Sequence, residues 1–219
     1  MLTEDLYQQL KQKNPVLRQR AISNVLAIAS NETIPNLIQI LSQEDPLYRK
    51  GASEALTVIG LDAIPALAQK LNTSQQDYVR ASCVQTLSAI ARFFSRDYPG
   101  VSFPQVAVDA LGKTLKDTNS GIKVSATGTL GVIGKPALNI LLEAIKTDDI
   151  SLKLSVIQAI VSLNVLKGDE QDPKTFEDYQ TISDLLSKIA VDESEDSYVR
   201  EVARTAFTRM EASKVKMRH

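Results

Sequence analysis

The chain has 219 residues, of which 43% are hydrophobic and 23% charged, a composition typical of a globular protein and not of a disordered one. Its 25 basic and 26 acidic residues leave a formal net charge of -1, which disfavours a nucleic-acid-binding protein because such proteins carry a basic excess. The single cysteine excludes an intramolecular disulfide, and the single histidine, His219, disfavours metal sites and catalytic triads.

Targeting and membrane segments are not expected. The chain lacks a run of about 18 apolar residues, the length that a membrane span needs, and its first residues do not form the apolar core of a signal peptide. The cysteine usage fits a reducing compartment. We therefore expect a protein without a membrane span, located in the cytoplasm.

Six basic residues recur along the chain in the same sequence context, and we call them the anchors. They are Arg18, Arg49, Arg80, Lys123, Lys153 and Arg200. An apolar residue precedes each anchor, and small or apolar residues follow it at three, seven and ten positions, as Ala52, Leu56 and Ile59 follow Arg49. Because these offsets place the side chains on one stripe of a helix, each unit is predicted to begin with an α-helix.

Each predicted first helix has its own start and stop signals. Helix-capping residues stand four positions before five of the anchors: Asn14, Asp45, Asn119, Asp149 and Asp196. Gly60 and Gly134 are predicted to end two first helices, and a second apolar stripe follows, as at Leu67 and Leu71. Since a single helical hairpin cannot bury its apolar faces, the hairpins must stack. The sequence predicts an all-α fold, an α-solenoid of about five and a half hairpins in one curved domain spanning residues 1–219.

The ends and the irregular spacings complete this prediction. Residues 2–13 are predicted to form an N-terminal capping helix, and residues 197–212 a C-terminal cap. The anchors are 30 or 31 residues apart except for two intervals of 43 and 47 residues, which mark insertions near residues 93–104 and 165–180. In solenoids, insertions map to loops on one edge, which is often the binding edge.

The repeat itself resembles a known one. Asp45–Leu71 begins with the pattern D-P-x-x-R-x-x-A-x-x-A-L-x-x-I-G, and Lys123–Leu142 is similar to it. This pattern resembles the short HEAT-type repeat of the phycobilin lyase superfamily, over almost the whole chain. The resemblance implies a role in cyanobacterial light-harvesting antennae, either as a bilin lyase subunit or as a phycobilisome degradation protein. It implies work in the cytosol near the thylakoid surface.

The resemblance also implies partners and ligands. Phycobiliprotein subunits or other phycobilisome components are the expected partners. An open-chain tetrapyrrole such as phycocyanobilin is the expected ligand, with no cofactor required. Any enzymatic activity would be lyase-like, namely attachment or detachment of the chromophore. Because a fold does not fix a function, a ligand-free interaction scaffold or chaperone stays open as the alternative.

The first insertion carries the candidate ligand site. Four of the eleven aromatic residues fall within residues 93–103, interleaved with arginines. The candidate bilin-binding residues are Arg92, Phe93, Phe94, Arg96, Tyr98 and Phe103, with Lys113 as the contact if the ligand lies elsewhere. Arginine pairs with a propionate, and aromatic rings stack on pyrroles. We expect accessible arginines and half-covered Phe rings; the alternative is that these rings plug the core beneath a long loop.

A second candidate surface follows the second helices. The concave face of a solenoid is where partners generally bind. It is predicted to carry a polar ladder of Gln39, Gln69, Lys113, Glu143 and Ser187, which suits a protein surface better than lipid or DNA.

Three other features have a structural and a functional interpretation. Cys83 occupies a position filled by alanine in sister repeats, so we interpret it as a buried packing residue; the alternative is a thiol that captures a bilin. Gly128 and Gly131 are attributed to close approach of a neighbouring helix, because no strand precedes them as a phosphate loop requires. The anchors are interpreted as ties between adjacent repeats; the alternative is a cationic stripe for an acidic partner.

Overall fold

The chain folds into α-helices joined by short connections, in a computed structural model that describes residues 2–98, 101–163 and 173–217. The helices are α1 (Leu2–Gln8), α2 (Pro15–Ala27), α3 (Thr33–Ile40), α4 (Pro46–Ile59), α5 (Ile64–Thr73), α6 (Asp77–Asp97), α7 (Gln105–Thr114), α8 (Ser120–Ile133), α9 (Leu138–Ala144), α10 (Ile150–Ser162), α11 (Pro173–Val191) and α12 (Ser197–Met217). The residues described in these ranges include no β-strand, so the all-α prediction is confirmed.

The predicted order of first and second helices is also confirmed. Five hairpins follow one another as α2–α3, α4–α5, α6–α7, α8–α9 and α10–α11, and α12 follows as a single first helix. The N-terminal segment consists of α1 and a short 3-10 turn at Gln9–Lys11. The C-terminal helix α12 begins at the predicted Ser197 and runs beyond residue 212, to Met217.

The helix ends lie where the capping residues predicted them. Side-chain oxygens accept a backbone N–H two or three residues later, at 2.8 to 3.0 Å, in Asn14, Asp45, Asn119, Asp149 and Asp196. These bonds satisfy N–H groups that have no partner inside the helix. Gly60 follows α4 with a φ of 75°, and Gly134 follows α8 with a φ of 87°. Both angles lie in the left-handed region that glycine adopts without strain.

The chain divides into two compact units, residues 1–125 and residues 126–219. In the first unit, α4 packs on α6 and α5 packs on α7, so that first helices and second helices form separate layers. In the second unit, α12 packs against both α10 and α11. The organisation of residues 1–219 as one domain stays a prediction.

The core of both units follows the repeat register. The residues three and seven positions after the anchors are buried in all five hairpins, as with Ala52 and Leu56, which are both 0% exposed. At the two ends of α2, Leu17 and Ile28 are instead exposed. The described segment before α2 consists of α1 and a 3-10 turn, and it leaves these two side chains exposed.

Several of the anchors tie their repeat to the next one or to the connection that leads to it. Arg18 binds Glu54 in the next first helix (Nε···Oε2 2.7 Å). Two further anchors bind a carboxylate in the connection that leads to the next first helix: Arg80 with Asp117 (Nε···Oδ2 2.6 Å) and Lys153 with Glu195 (Nζ···Oε1 2.6 Å). Arg80 donates two hydrogen bonds to Asp117, and this contact holds the pKa of the Asp117 carboxyl below its ordinary value. The interpretation of these three anchors as structural ties is confirmed, and no cationic stripe is needed to explain them.

Arg49 makes a different tie. Its Nη1 donates to the backbone carbonyls of Gln43 and Glu44 at 2.8 and 2.7 Å. Its guanidinium lies over the ring of Tyr78, 4.6 Å from the centroid, in a cation–π contact with the next repeat. Arg49 therefore contacts the next repeat through the aromatic face of Tyr78 rather than through a carboxylate.

The two insertions differ from the predicted loops. Residues 93–97 of the first insertion are not a loop, because they continue α6, which has 21 residues where α4 has 14. In the second insertion, α11 begins at Pro173, so the part from residue 173 to residue 180 is helical. Residues 165–172 lie outside the described residues. The apolar stripe of a first helix usually ends ten residues after the anchor, which is Ile90 in α6. Here the stripe continues to Phe94, which explains why α6 is longer than the other first helices of its unit.

One stretch, Pro46–Thr73, is long and apolar enough to cross a membrane on length and composition alone. It forms α4, a 3-10 turn and α5 rather than one continuous helix. Leu56 and Leu67 of this stretch are fully buried, whereas Val58 and Leu61 are exposed to solvent. The stretch is therefore better explained as a core hairpin.

Two glycines of α8 differ in what surrounds them. A Cβ added at Gly131 would lie 2.7 Å from Ser162 Oγ and 3.1 Å from the Cα of Ala159. The predicted close approach of a neighbouring helix is therefore confirmed for Gly131, and the neighbour is α10. A Cβ added at Gly128 would meet nothing within 4 Å. For Gly128 the packing explanation is wrong.

We expect opposite effects of the same substitution at these two positions. Gly128→Ala should stabilise the protein by ~0.5–1 kcal/mol, because alanine is the better helix former and the space is open. Gly131→Ala should destabilise it by ~1–3 kcal/mol, because α10 would have to move. Urea unfolding of both variants measures the difference. Equal shifts of the two midpoints would contradict the packing described for α8 and α10.

Candidate ligand-binding groove

An open groove lies between two segments of the chain. One is residues 57–62, at the end of α4 and in the turn after it, and the other is residues 90–98, which comprise the last two turns of α6 and the residue after it. Its volume is about 450 Å³, within the range of about 300–1,000 Å³ usual for small-molecule sites. The groove forms because the additional turns of α6 project past the end of α4. We call it the aromatic groove.

Three aromatic residues of the first insertion, Phe93, Phe94 and Tyr98, line this groove. The Phe94 ring stacks on Tyr98 with centroids 5.3 Å apart and meets Phe103 edge-on at 5.5 Å. Phe93 is 50% exposed and Tyr98 is 56% exposed. Both exposed rings border the groove, so a planar ligand has two aromatic faces available to it.

The expected exposure of the aromatic rings is confirmed in part. Tyr98 is accessible and Phe93 is half covered, as predicted. The expectation is wrong for Phe94 and Phe103, which are only 6% and 4% exposed. Phe94 lies fourteen residues after the anchor Arg80, on the buried stripe of α6, and Phe103 packs back onto it. These two rings act as the internal plug that the alternative interpretation described.

The arginines of the segment lie beside the groove rather than in its lining. Arg96 pairs with Asp97 (Nε···Oδ1 2.7 Å), and its guanidinium lies 5.1 Å from the centroid of the Phe93 ring. The pair holds the pKa of Asp97 below its ordinary value and raises that of Arg96. Arg92 is exposed and donates to Ser88 Oγ at 3.1 Å. Both arginines are accessible to a ligand carboxylate, as predicted.

The charged side chains that line the groove are ones that the sequence analysis missed. They are Asp62, in the turn after α4, and Asp97, in the last turn of α6. The four-residue spacing of Phe93 and Asp97 on one helix was a usable signal. Asp62 gave no signal, because it comes from the preceding repeat and is brought to the groove only by stacking.

Lys113 does not belong to this site. It lies in the last turn of α7, in a shallow depression of about 370 Å³ that also contains Arg80 and Asp117. The aromatic residues of the first insertion, at positions 93–103, precede the first residue of α7. A helix rises by about 1.5 Å per residue. The length of α7 therefore separates Lys113 from the aromatic groove, and the structure does not bring these predicted residues together.

The polar ladder is found on the second helices, as predicted. Gln39, Gln69 and Lys113 are exposed on α3, α5 and α7 of the first unit, whose second helices pack side by side. In the second unit Glu143 is exposed on α9, where it pairs with Lys146, and Ser187 is half-buried on α11. Their use as a partner-binding surface stays a prediction.

Cys83 is a packing residue. It is 0% exposed within α6, and burial raises the pKa of its thiol to about 12. Since the thiolate is the reactive form, this cysteine is unsuited to capturing a bilin. The structural interpretation of Cys83 is confirmed.

Residues 3–88 match the family of HEAT repeats. This match covers about two fifths of the chain, and helical hairpins of the same order continue beyond it. The chain is 30% identical over 212 residues to the uncharacterized phycocyanin operon protein Z of Pseudanabaena tenuis, covering 96% of each chain. It is 24% identical over 146 residues to the bilin biosynthesis protein CpeZ of a Synechococcus species, covering 64% of this chain and 76% of CpeZ. The chain belongs to the phycobilin lyase-like family of HEAT-repeat proteins.

A solved structure with a similar arrangement is the complex of CpcE and CpcF of phycocyanin lyase from a Nostoc species. One chain of it matches with 20% identity and a TM-score of 0.43, over 92% of this chain and 74% of that chain.

Proposed function

We propose that this protein binds an open-chain tetrapyrrole in the aromatic groove and presents it to a phycobiliprotein subunit during attachment or detachment of the chromophore. Family membership supports the class of ligand, and the names of the two relatives refer to phycocyanin and to bilin biosynthesis. The aromatic groove is the observation that carries the proposal to particular residues. The cytosol is the proposed location.

The groove has the shape and chemistry that a bilin needs. A bilin is a flexible, conjugated chain of four pyrrole-type rings with two propionates. The half-exposed rings of Phe93 and Tyr98 offer stacking faces, and the buried Phe94 fixes the wall behind them. The accessible guanidinium groups of Arg92 and Arg96 lie beside the groove, where they suit propionates.

The proposed role is to hold reactants rather than to supply an acid or a base. Attachment joins a cysteine thiol of the antenna protein to a vinyl-type carbon of the bilin. Holding a flexible ligand in one conformer near the acceptor thiol accelerates such a step without catalytic side chains. The phycobiliprotein is expected to supply the thiol, because Cys83 is buried with a raised pKa. A role in phycobilisome degradation stays a prediction.

The direct test is titration of the purified protein with phycocyanobilin. We expect a saturable red shift or fluorescence enhancement of the bilin at micromolar protein. A wild-type protein that leaves the bilin spectrum unchanged would overturn the proposal. Co-purification with phycobiliprotein subunits, with and without bilin, tests the partner separately.

Replacing both arginines beside the groove tests the site. We expect Arg92→Ala with Arg96→Ala to weaken bilin binding at least tenfold, because two charge-assisted contacts worth ~1.5–3 kcal/mol each are removed. The free energy of unfolding should change by less than ~1 kcal/mol, since both side chains are at the surface.

A matched control removes the same charge elsewhere. Arg20 and Lys50 are exposed at other positions of α2 and α4, and the double variant Arg20→Ala with Lys50→Ala should bind bilin like the wild type. If the Arg92 and Arg96 variant also bound normally, the ligand would lie elsewhere, with Lys113 as the next position to examine.

The ligand-free scaffold is the second candidate function. The burial of Phe94 and Phe103 favours it, because a protein that binds no ligand needs these rings only to plug the core. It does not account for the exposure of Phe93 and Tyr98 beside an open groove. A wild-type protein that captures phycobiliprotein subunits but binds no bilin would favour the scaffold.

A further inference from the structure

The polarity of the aromatic groove limits how a ligand enters it. Among the residues that the structure describes, the side chains that line it are apolar or aromatic, with the exception of Thr57 and the two carboxylates of Asp62 and Asp97. Both carboxylates are exposed, and Asp97 is paired with Arg96. A ligand group that enters the groove therefore comes close to a carboxylate, which favours hydrogen-bond donors and disfavours anions.

A bilin has two polar edges of opposite character. Its pyrrole-type rings carry N–H groups, which are hydrogen-bond donors, and an imine-type nitrogen, which gains an N–H and a positive charge on protonation. Its propionates are anionic acceptors. A carboxylate accepts hydrogen bonds from the first edge and repels the second. The charges of the groove thus select the nitrogen edge, and the propionates are left for the arginines outside.

We infer that Asp62 and Asp97 accept hydrogen bonds from the ring nitrogens of the tetrapyrrole, and so fix its orientation in the aromatic groove. This inference rests on the proposed function and adds to it the two residues that position the ligand. Asp62 comes from the turn after α4 and Asp97 from the end of α6, so the ligand bridges two adjacent repeats. A nitrogen held between carboxylates is easier to protonate, because an opposite charge nearby favours the charged form.

The groups that surround the bound nitrogens are few. Asp62 is the titratable side chain that the turn after α4 contributes to the groove lining, and Asp97 and Tyr98 are those contributed by the end of α6 and the residue after it. Arg96 contacts Asp97 and keeps its carboxyl ionised, with a lowered pKa. The protonation midpoint of the bound bilin is therefore expected to lie above that of free bilin, as long as both aspartates are present.

The test compares Asp62→Asn with Asp97→Asn, combined in one chain, with the wild type. Phycocyanobilin is titrated into each protein, and the bound bilin is then titrated with pH by its absorbance. We expect the double variant to bind bilin at least tenfold more weakly and to lower the protonation midpoint by at least ~1 pH unit. Asp109→Asn is the matched control, because Asp109 is exposed on α7 outside the groove, and it should leave both values unchanged.

The outcomes distinguish a failure of the proposed function from a failure of the inference about Asp62 and Asp97. If the wild type binds no bilin, the proposed function and this inference both fail. If the wild type binds bilin and the double variant keeps the same midpoint, only the inference fails. If the double variant binds bilin more tightly, the propionates lie in the groove and the orientation is the reverse of the one inferred.

Discussion

Phe94→Ala is expected to destabilise the protein by ~3–5 kcal/mol, the range for truncating a buried phenylalanine. The Phe94 ring is 6% exposed and contacts both Tyr98 and Phe103. Its removal leaves a cavity and also loses two aromatic pairs, each worth ~0.5–1.5 kcal/mol beyond its buried area. Urea unfolding followed by circular dichroism measures the change.

Phe93→Ala is the matched control for Phe94. The two residues are neighbours of the same type on one helix, but the Phe93 ring is 50% exposed. We expect its truncation to change the free energy of unfolding by less than ~1.5 kcal/mol, since only part of the ring is removed from water. Bilin binding should nevertheless weaken, because Phe93 borders the groove. Equal stability losses in the two variants would contradict the described orientation of the last turns of α6.

Leu56→Ala and Leu130→Ala are each expected to lower the free energy of unfolding by ~2–5 kcal/mol, as buried leucine truncations do. Both side chains are 0% exposed at the same position of the repeat, seven residues after an anchor. Leu56 lies in the unit of residues 1–125 and Leu130 in the unit of residues 126–219. Denaturant unfolding measures both losses.

The position of the weakening is a second readout of the leucine variants. Contacts in stacked repeats are made with nearest neighbours. Hydrogen exchange should therefore accelerate first in α4 and α6 for Leu56→Ala, and first in the second unit for Leu130→Ala. A loss below ~1 kcal/mol for both variants would mean that the repeat register is wrong.

The helices and their ends were predictable because short-range signals determine them. The N-cap at Asp45 and the glycine at Gly60 each act on a few neighbouring residues, and the repeat shows them several times. The burial of Phe94 was predictable too: the spacing of Cys83, Leu87 and Ile90 continues to Phe94 and excludes Phe93. A loop prediction for residues 93–97 obscured that spacing.

The groove itself was harder to predict, because it depends on which residues two repeats bring together. Asp62 and Asp97 are 35 positions apart in the chain, and neither belongs to a motif. Lys113 shows the opposite case, since it is close to the aromatic segment in sequence but a helix length away from it. Short-range sequence signals therefore predicted the helices well, whereas closeness in sequence predicted poorly which residues line the groove.

The ion pairs between neighbouring repeats restrict the order in which the hairpins can follow one another along the chain. Arg18 is 4% exposed and depends on Glu54, which stands five residues after the next anchor. The corresponding position of α6 holds Gln85, and the carboxylate that Arg80 uses comes instead from the connection before α8. Excising residues 46–76 would therefore preserve the hairpin pattern and yet set a buried guanidinium against a neutral amide. Such a chain would retain a charge without its counter-ion, so these hairpins are not interchangeable modules and their sequential order is itself encoded in the ion pairs.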